Sequence, residues 1–162
     1  MSFQRIAGKA AVLSLILCGT GLRAQMPNPY GMPISLEQAR KPAATALAEA
    51  ARNKWNMAVA IVDPSGNLVY FERMDGTQAG SIQVAQNKAR CAARFKRPTK
   101  AFQDGLAAGG AGLRILDIEG AVAVEGGIPL VVDGKIVGAI GVSGDTSEHD
   151  NVCATAGAAE LK

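Results

Sequence analysis

One histidine, His149, stands in 162 residues, and it is the only imidazole the chain offers to iron, to a proton or to a hydroxyl nucleophile. It is therefore the first residue to weigh for iron ligation, against which stands that a solitary histidine is no metal cluster. Zinc asks for more: several Cys and His ligands at set spacings, which are lacking here. A Ser-His-acid triad would need Ser143, His149 and a third group to converge from adjacent sequence, which disfavours hydrolysis by that route. Met74 carries a thioether, and Tyr30 and Tyr70 carry phenols, that could also reach iron, although such residues more often pack in cores or on strands. The plain alternative for His149 is an exposed position in the first turn of a helix, flanked by Glu148 and Asp150.

Charged candidates lie elsewhere. Lys88 falls within an Ala-rich helical stripe, where its ammonium would either meet an anionic group or snorkel to water while its stem packs. Arg73 and Asp75 bracket Met74 and make either part of a site or a strand-end ion pair. Glu125 precedes Gly126-Gly127, where it either faces a ligand or ends a strand. The basic run Lys88, Arg90, Arg94, Lys96, Arg97 and Lys100 reads as a solvated helix face able to attract an anion. Gly109-Gly110-Ala111-Gly112 is no phosphate loop, since no Gly-Lys-Ser/Thr follows.

The elements that must position these groups are written most clearly between Glu125 and Asp150. Two apolar runs flank Asp133-Gly134, the pair that favours a two-residue hairpin turn. The exit strand empties into Gly141-Val142-Ser143-Gly144, where missing side chains allow close approach. Asp145, Thr146 and Ser147 then offer cap oxygens to a last helix, with Glu148 and Asp150 set against its positive end. Upstream, Ser35 with Gln38 predicts a capped first helix reaching Asn53, kinked or restarted at Pro42. Met57 to Val62 and Leu68 to Met74 predict a hairpin about Pro64-Ser65-Gly66. Ile82, Ala85, Ala89, Ala92 and Ala93 make a helical stripe closed by Pro98. Thr99 is expected to cap a short helix, and Ile118 to Val124, Ile128 to Val132 and Lys135 to Val142 to be strands. Hairpin-joined strands with helices packed against them make an α+β architecture on an antiparallel sheet.

Glu125 to Asp150 resembles the C-terminal signature of the GlcG/HbpS family of small haem-binding, often called haem-degrading, proteins, related to the C-terminal domain of PduO-type proteins. Ala58-Val59-Ala60-Ile61-Val62-Asp63 with Gly66-Asn67-Leu68 is similar to that family's first hairpin. Arg73-Met74-Asp75-Gly76 resembles the close of its second strand, and Ala85, Lys88 and Ala89 its small-residue helix. The likeness spans roughly residues 34–161, with Pro42 and His149 as its departures. It implies a profilin-like five-stranded sheet flanked by helices. It also implies haem, or a similar tetrapyrrole, as cofactor, with Arg73, Met74, Asp75, Lys88, Glu125, Gly127, Ser143 and His149 around it and His149 as the candidate metal ligand.

Arg5 and Lys9 precede an apolar run from Ala10 to Leu17, and Leu22-Arg23-Ala24 ends in the small residue that a signal peptidase requires. Residues 1–24 are therefore expected to be a cleaved leader, too short to anchor in a bilayer, with 25–33 an extended lead-in and 34–162 one domain. Lipidation at Cys18 is disfavoured by the bulky Leu17. All three charges of the leader are basic, so the formal +3 of the whole chain falls to zero once they go, and the case for nucleic-acid binding goes with them. Cys91 and Cys153 remain, as a disulfide or, preferably, as two buried thiols. The expected protein is periplasmic or secreted, binds haem in uptake, storage or breakdown, and gains stability as a homo-oligomer. Two other functions fit the same residues. One is an enzyme or enzyme accessory for a small organic acid or aromatic metabolite, using Lys88, Arg73 and Glu125; the other is an oligomeric sensory or structural module.

Overall fold

The computed structural model describes residues 27–161. After the lead-in come α1 (Leu36–Asn53), β1 (Ala58–Val62), β2 (Leu68–Arg73), α2 (Ser81–Phe95), α3 (Lys100–Ala107), a 3-10 stretch (Gly110–Asp117), β3 (Gly127–Val132), β4 (Lys135–Ser143) and α4 (Ser147–Ala158). The strands form one antiparallel sheet in the order β2-β1-β4-β3. Helices α1 and α4 pack together on one face and α2 covers the other.

This sandwich explains why every residue of β1 is buried. Alternate side chains of a strand point to opposite faces, so Val59 and Ile61 join Ile140 and Val142 under α1 and α4, whereas Ala58, Ala60 and Val62 join Ala139 under α2. The α2 face is built from small residues because the helix backbone lies almost on the sheet. A Cβ on Gly141 would stand 2.1 Å from the Ala85 carbonyl oxygen, and one on Gly127 would stand 2.4 Å from that of Lys88. Scarce aromatics and abundant Ala and Gly are the composition this close packing demands.

Local signals act largely as expected. Ser35 and Gln38 form both halves of a capping box. Asp133 and Gly134 both take positive φ, as a turn matched to strand twist requires, and Val132 pairs with Lys135 across it. Pro42 neither ends α1 nor delays its start; the helix runs unbroken from Leu36. A proline removes one backbone donor, but α4 packs tightly here: a Cβ on Gly157 would come within 2.5 Å of the Pro42 carbonyl oxygen.

Three expectations are corrected. Among the described residues the sheet has four strands rather than five, because Ile118 to Val124 is not a strand. Gly120 within it and Gly126 just after it take positive φ, which interrupts extended backbone. Thr99 stands at the start of α3 without capping it; its hydroxyl accepts from the Gly127 amide at 2.9 Å and so fixes the start of β3. Met74 lies just beyond β2, which closes at Arg73.

Cys91 and Cys153 are free, buried thiols on α2 and α4, helices on opposite faces of the sheet. No described helix is long and apolar enough to cross a membrane. The expected leader, including Cys18 and the cleavage point before Gln25, lies outside the described residues.

Candidate functional site

Helix α2 carries Lys88 on the stripe Ser81, Ala85, Lys88, Ala89 and Ala92, a helical spacing that turns it inward. Helix α4 carries Asp150 on the matching stripe Asp150, Cys153, Ala154 and Gly157. The two helices cover opposite faces, and their side chains meet beside Val142, near the C-terminal end of β4. There Lys88 Nζ lies 2.6 Å from Asp150 Oδ2 and donates to the Val142 carbonyl at 3.1 Å. Lys88 is fully buried and Asp150 is 2% exposed. The other carboxylate oxygen of Asp150 accepts from the Asp145 amide at 3.3 Å, so one residue ties both α2 and the loop before α4.

Gly126 closes the roof of this pair. With φ +111, it leaves no room for a Cβ, which would stand 2.9 Å from that of Asp150 and 3.0 Å from Lys88 Nζ. Glu125 beside it is 5% exposed and is held by a double contact with Gln103: its carboxylate accepts from Gln103 Nε2 at 3.2 Å, and its amide donates to Gln103 Oε1 at 2.9 Å. Burial pulls the Lys88 ammonium below its usual value, opposed by the charges of Asp150 and Glu125. Burial likewise pushes Asp150 up, opposed by Lys88. The short contact and the second acceptor at Val142 favour the ionised pair.

Outside this core lies the half-exposed face of the same end. His149 stacks on Trp55 with ring centroids 3.9 Å apart and planes 13° apart. Its Nδ1 is buried, lacks a hydrogen-bond partner, and lies 3.5 Å from Asp145 Oδ2. Thr146 caps the helix by accepting from the His149 amide at 3.4 Å, which fixes where the imidazole emerges. Asp145 therefore stands beside Nδ1 as a nearby carboxylate without a hydrogen bond to it.

The topology gathers Arg73, Met74, Asp75, Lys88, Glu125, Gly127, Ser143 and His149 toward one end of the sheet, in different roles, and leaves Tyr30 and Tyr70 apart from them. Arg73 and Asp75 are exposed and form no ion pair with each other among the described residues. Met74 faces the α1 side of the core, its sulfur 3.5 Å from the Met57 amide that donates to it, so its thioether is engaged. Ser143 is buried against Ser81, Oγ to Oγ 3.2 Å. Gly127 serves close packing. Lys88 neither snorkels nor presents its ammonium to a propionate; it is consumed by Asp150 and Val142. Tyr30 donates to the carbonyls of Ala93 and Arg94, and Tyr70 to Glu72. Trp55, Asp145 and Asp150 were not expected as site residues. Asp150 reads in the sequence only as a first-turn carboxylate of α4, and the i,i+4 spacing of Asp145 and His149 signals their pairing; nothing in the sequence signals Trp55. No group of three or more His, Cys, Asp and Glu able to hold a metal occurs among the described residues.

A family model described as "Haem degrading protein HbpS-like" matches residues 34–159. The chain belongs to that family. Protein GlcG of Escherichia coli K12 is 37% identical over 95 residues, covering 59% of this chain and 69% of that protein. An uncharacterised 15.0 kDa protein of Citrobacter freundii is 32% identical over 123 residues, covering 75% of this chain and 87% of that one. Among solved structures, a double mutant of Streptomyces reticuli HbpS superposes with a TM-score of 0.74 at 28% identity, covering 99% of both chains. A complex of PduOC with haem gives 0.72 at 26% identity, covering 81% of this chain and 96% of that one. These HbpS-like neighbours share the α+β fold.

Proposed function

We propose that this chain binds haem through the Trp55-His149 face, with the His149 imidazole as an axial ligand to iron. One observation carries the placement: the chain's only imidazole is half-exposed, stacked on an indole, and has its Nδ1 directed toward Asp145. That arrangement suits metal ligation through Nε2, and Trp55 adds apolar surface beside the macrocycle. Arg73, exposed at the same end, supplies a guanidinium for a propionate. The family and the haem complex of PduOC support the choice of ligand. Lys88, Asp150, Glu125 and Gly126 act beneath this face as its rigid floor. One imidazole at this face fits haem uptake, storage or breakdown.

The test is the ferric spectrum of the haem-loaded protein. His149→Ala should shift the Soret and visible bands, whereas Asp145→Asn should keep the ligand but alter the band positions. An unchanged spectrum in His149→Ala would remove His149 from the iron.

The protein is further read as exported after loss of residues 1–24, and as a homo-oligomer. The exposed Leu113, Leu116 and Ile118 of the 3-10 stretch and its exit support the latter, since adjoining apolar residues in water favour burial against a second copy.

A further inference from the structure

A cleft of about 600 Å³ lies elsewhere, between the lead-in, the C-terminal end of α2 and β3. Because α2 runs from Ser81 beside Ser143 to Arg94 beside Tyr30, this cleft lies toward the β3-β4 hairpin, away from His149. Its aliphatic lining includes Val131 and Ile136, with Pro98 and Pro129 beside them and Ile128, which packs toward the α1–α4 core, at its edge. Lys96 and Arg97 stand on the rim, and no lining residue is acidic. Neither cation has a carboxylate partner among the described residues. Lys96 is held by cation-π contact, Nζ 4.1 Å from the Tyr30 ring centroid, and Arg97 donates through Nε to the Phe95 carbonyl at 3.1 Å. Two positioned cations beside an aliphatic floor match an anion carried on an apolar body.

We propose that this cleft is a second ligand site, taking a flat aromatic carboxylate whose ring lies against Pro129 and Val131 and whose anion meets Lys96 and Arg97. The inference stands apart from haem ligation at His149. The ring needs no hydrogen bonds, so the apolar floor sets its plane while the carboxylate sets its direction. The fork of Arg97 keeps its terminal N–H groups for a carboxylate, because only Nε is used on Phe95.

The experiment is a titration of the full chain with naphthoate, followed by the methyl resonances of Ile128, Val131 and Ile136. Saturable shifts confined to these methyls are expected, with the uncharged naphthamide weaker by about tenfold or more. Arg97→Glu should weaken naphthoate to a similar degree, while His149→Ala should leave it unchanged. Should Arg97→Glu fail to fold, the comparison of acid and amide on the unsubstituted chain decides alone. The absence of saturable shifts at the cleft, or equal binding of the amide, overturns the site. Ferric haem adds a separating arm: broadening near Trp55 while naphthoate still fills the cleft supports two sites. Haem broadening of the cleft methyls instead supports the cleft and overturns the placement of haem at His149.

Discussion

Replacing Lys88 with Met tests the core of the site most severely. The pair it breaks is 2.6 Å long, with side chains only 1% and 4% exposed, so solvent hardly screens it. Removing one partner of such a pair leaves an uncompensated buried charge and costs about 3–5 kcal/mol, against about 0–1 for an exposed pair. Lys88→Met also strips a donor from the Val142 carbonyl. The double variant Lys88→Met with Asp150→Leu removes both charges and should recover much of the loss, giving a coupling of about 2–3 kcal/mol. Urea denaturation at constant slope reads these values. The pH dependence follows by sign. In Lys88→Met, Asp150 keeps the burial that raises it and loses the cation that lowers it. Its folded carboxyl then titrates above the unfolded one, so its stabilising contribution is complete below the unfolded value and is lost as pH rises through the folded one. The deficit should therefore be smaller near about pH 4 than near about pH 7. Single costs below about 1 kcal/mol, or strictly additive losses in the double variant, would refute the reasoning.

Further outcomes are expected. Burial, with Asp150 and Asp145 adding to it, pushes the Cys153 thiol up to about 11, and burial raises Cys91 as well, so native protein should resist iodoacetamide near about pH 8.5. The raised thiol also stabilises the fold below its usual value and loses that contribution as pH climbs toward about 11, so Cys153→Ala should flatten the alkaline decline in urea midpoint; rapid native alkylation would contradict both. Light scattering should report a homo-oligomer whose mass falls in Leu116→Glu, since Leu116 is 70% exposed in a single chain; a persistent monomer at high concentration counts against it. N-terminal sequencing of protein from the host's exported fraction should begin at Gln25, and an intact Met1 or a lipid on Cys18 would defeat that reading.

Much of the fold is legible wherever a local backbone requirement dictates the residue. Ser35 with Gln38, and Asp133 with Gly134, announce a cap and a turn because few other residues satisfy those geometries. Ile118 to Val124 misleads because apolar β-branched residues suit a strand anywhere, whereas the positive φ of Gly120 inside it breaks the extended backbone a strand needs. Thr99 misleads for a similar reason: its hydroxyl answers a distant amide, Gly127, in place of its own helix. At the site, Lys88 sits on a buried stripe of α2 that periodicity reveals, whereas Asp150 reads in the sequence only as a first-turn carboxylate of α4. Their meeting, 62 residues apart and from helices on opposite faces, depends on where β4 ends. His149 was visible as the lone imidazole, but its footing on Trp55 is a tertiary contact without a sequence sign.

The central claim is that this chain holds haem by His149, and equilibrium titration of ferric haem into the protein, followed at the Soret band, tests it most directly. The account predicts a saturable Soret shift at one haem per chain, with a bound spectrum that changes when His149 is Ala. A wild-type protein showing no saturable Soret change would contradict it.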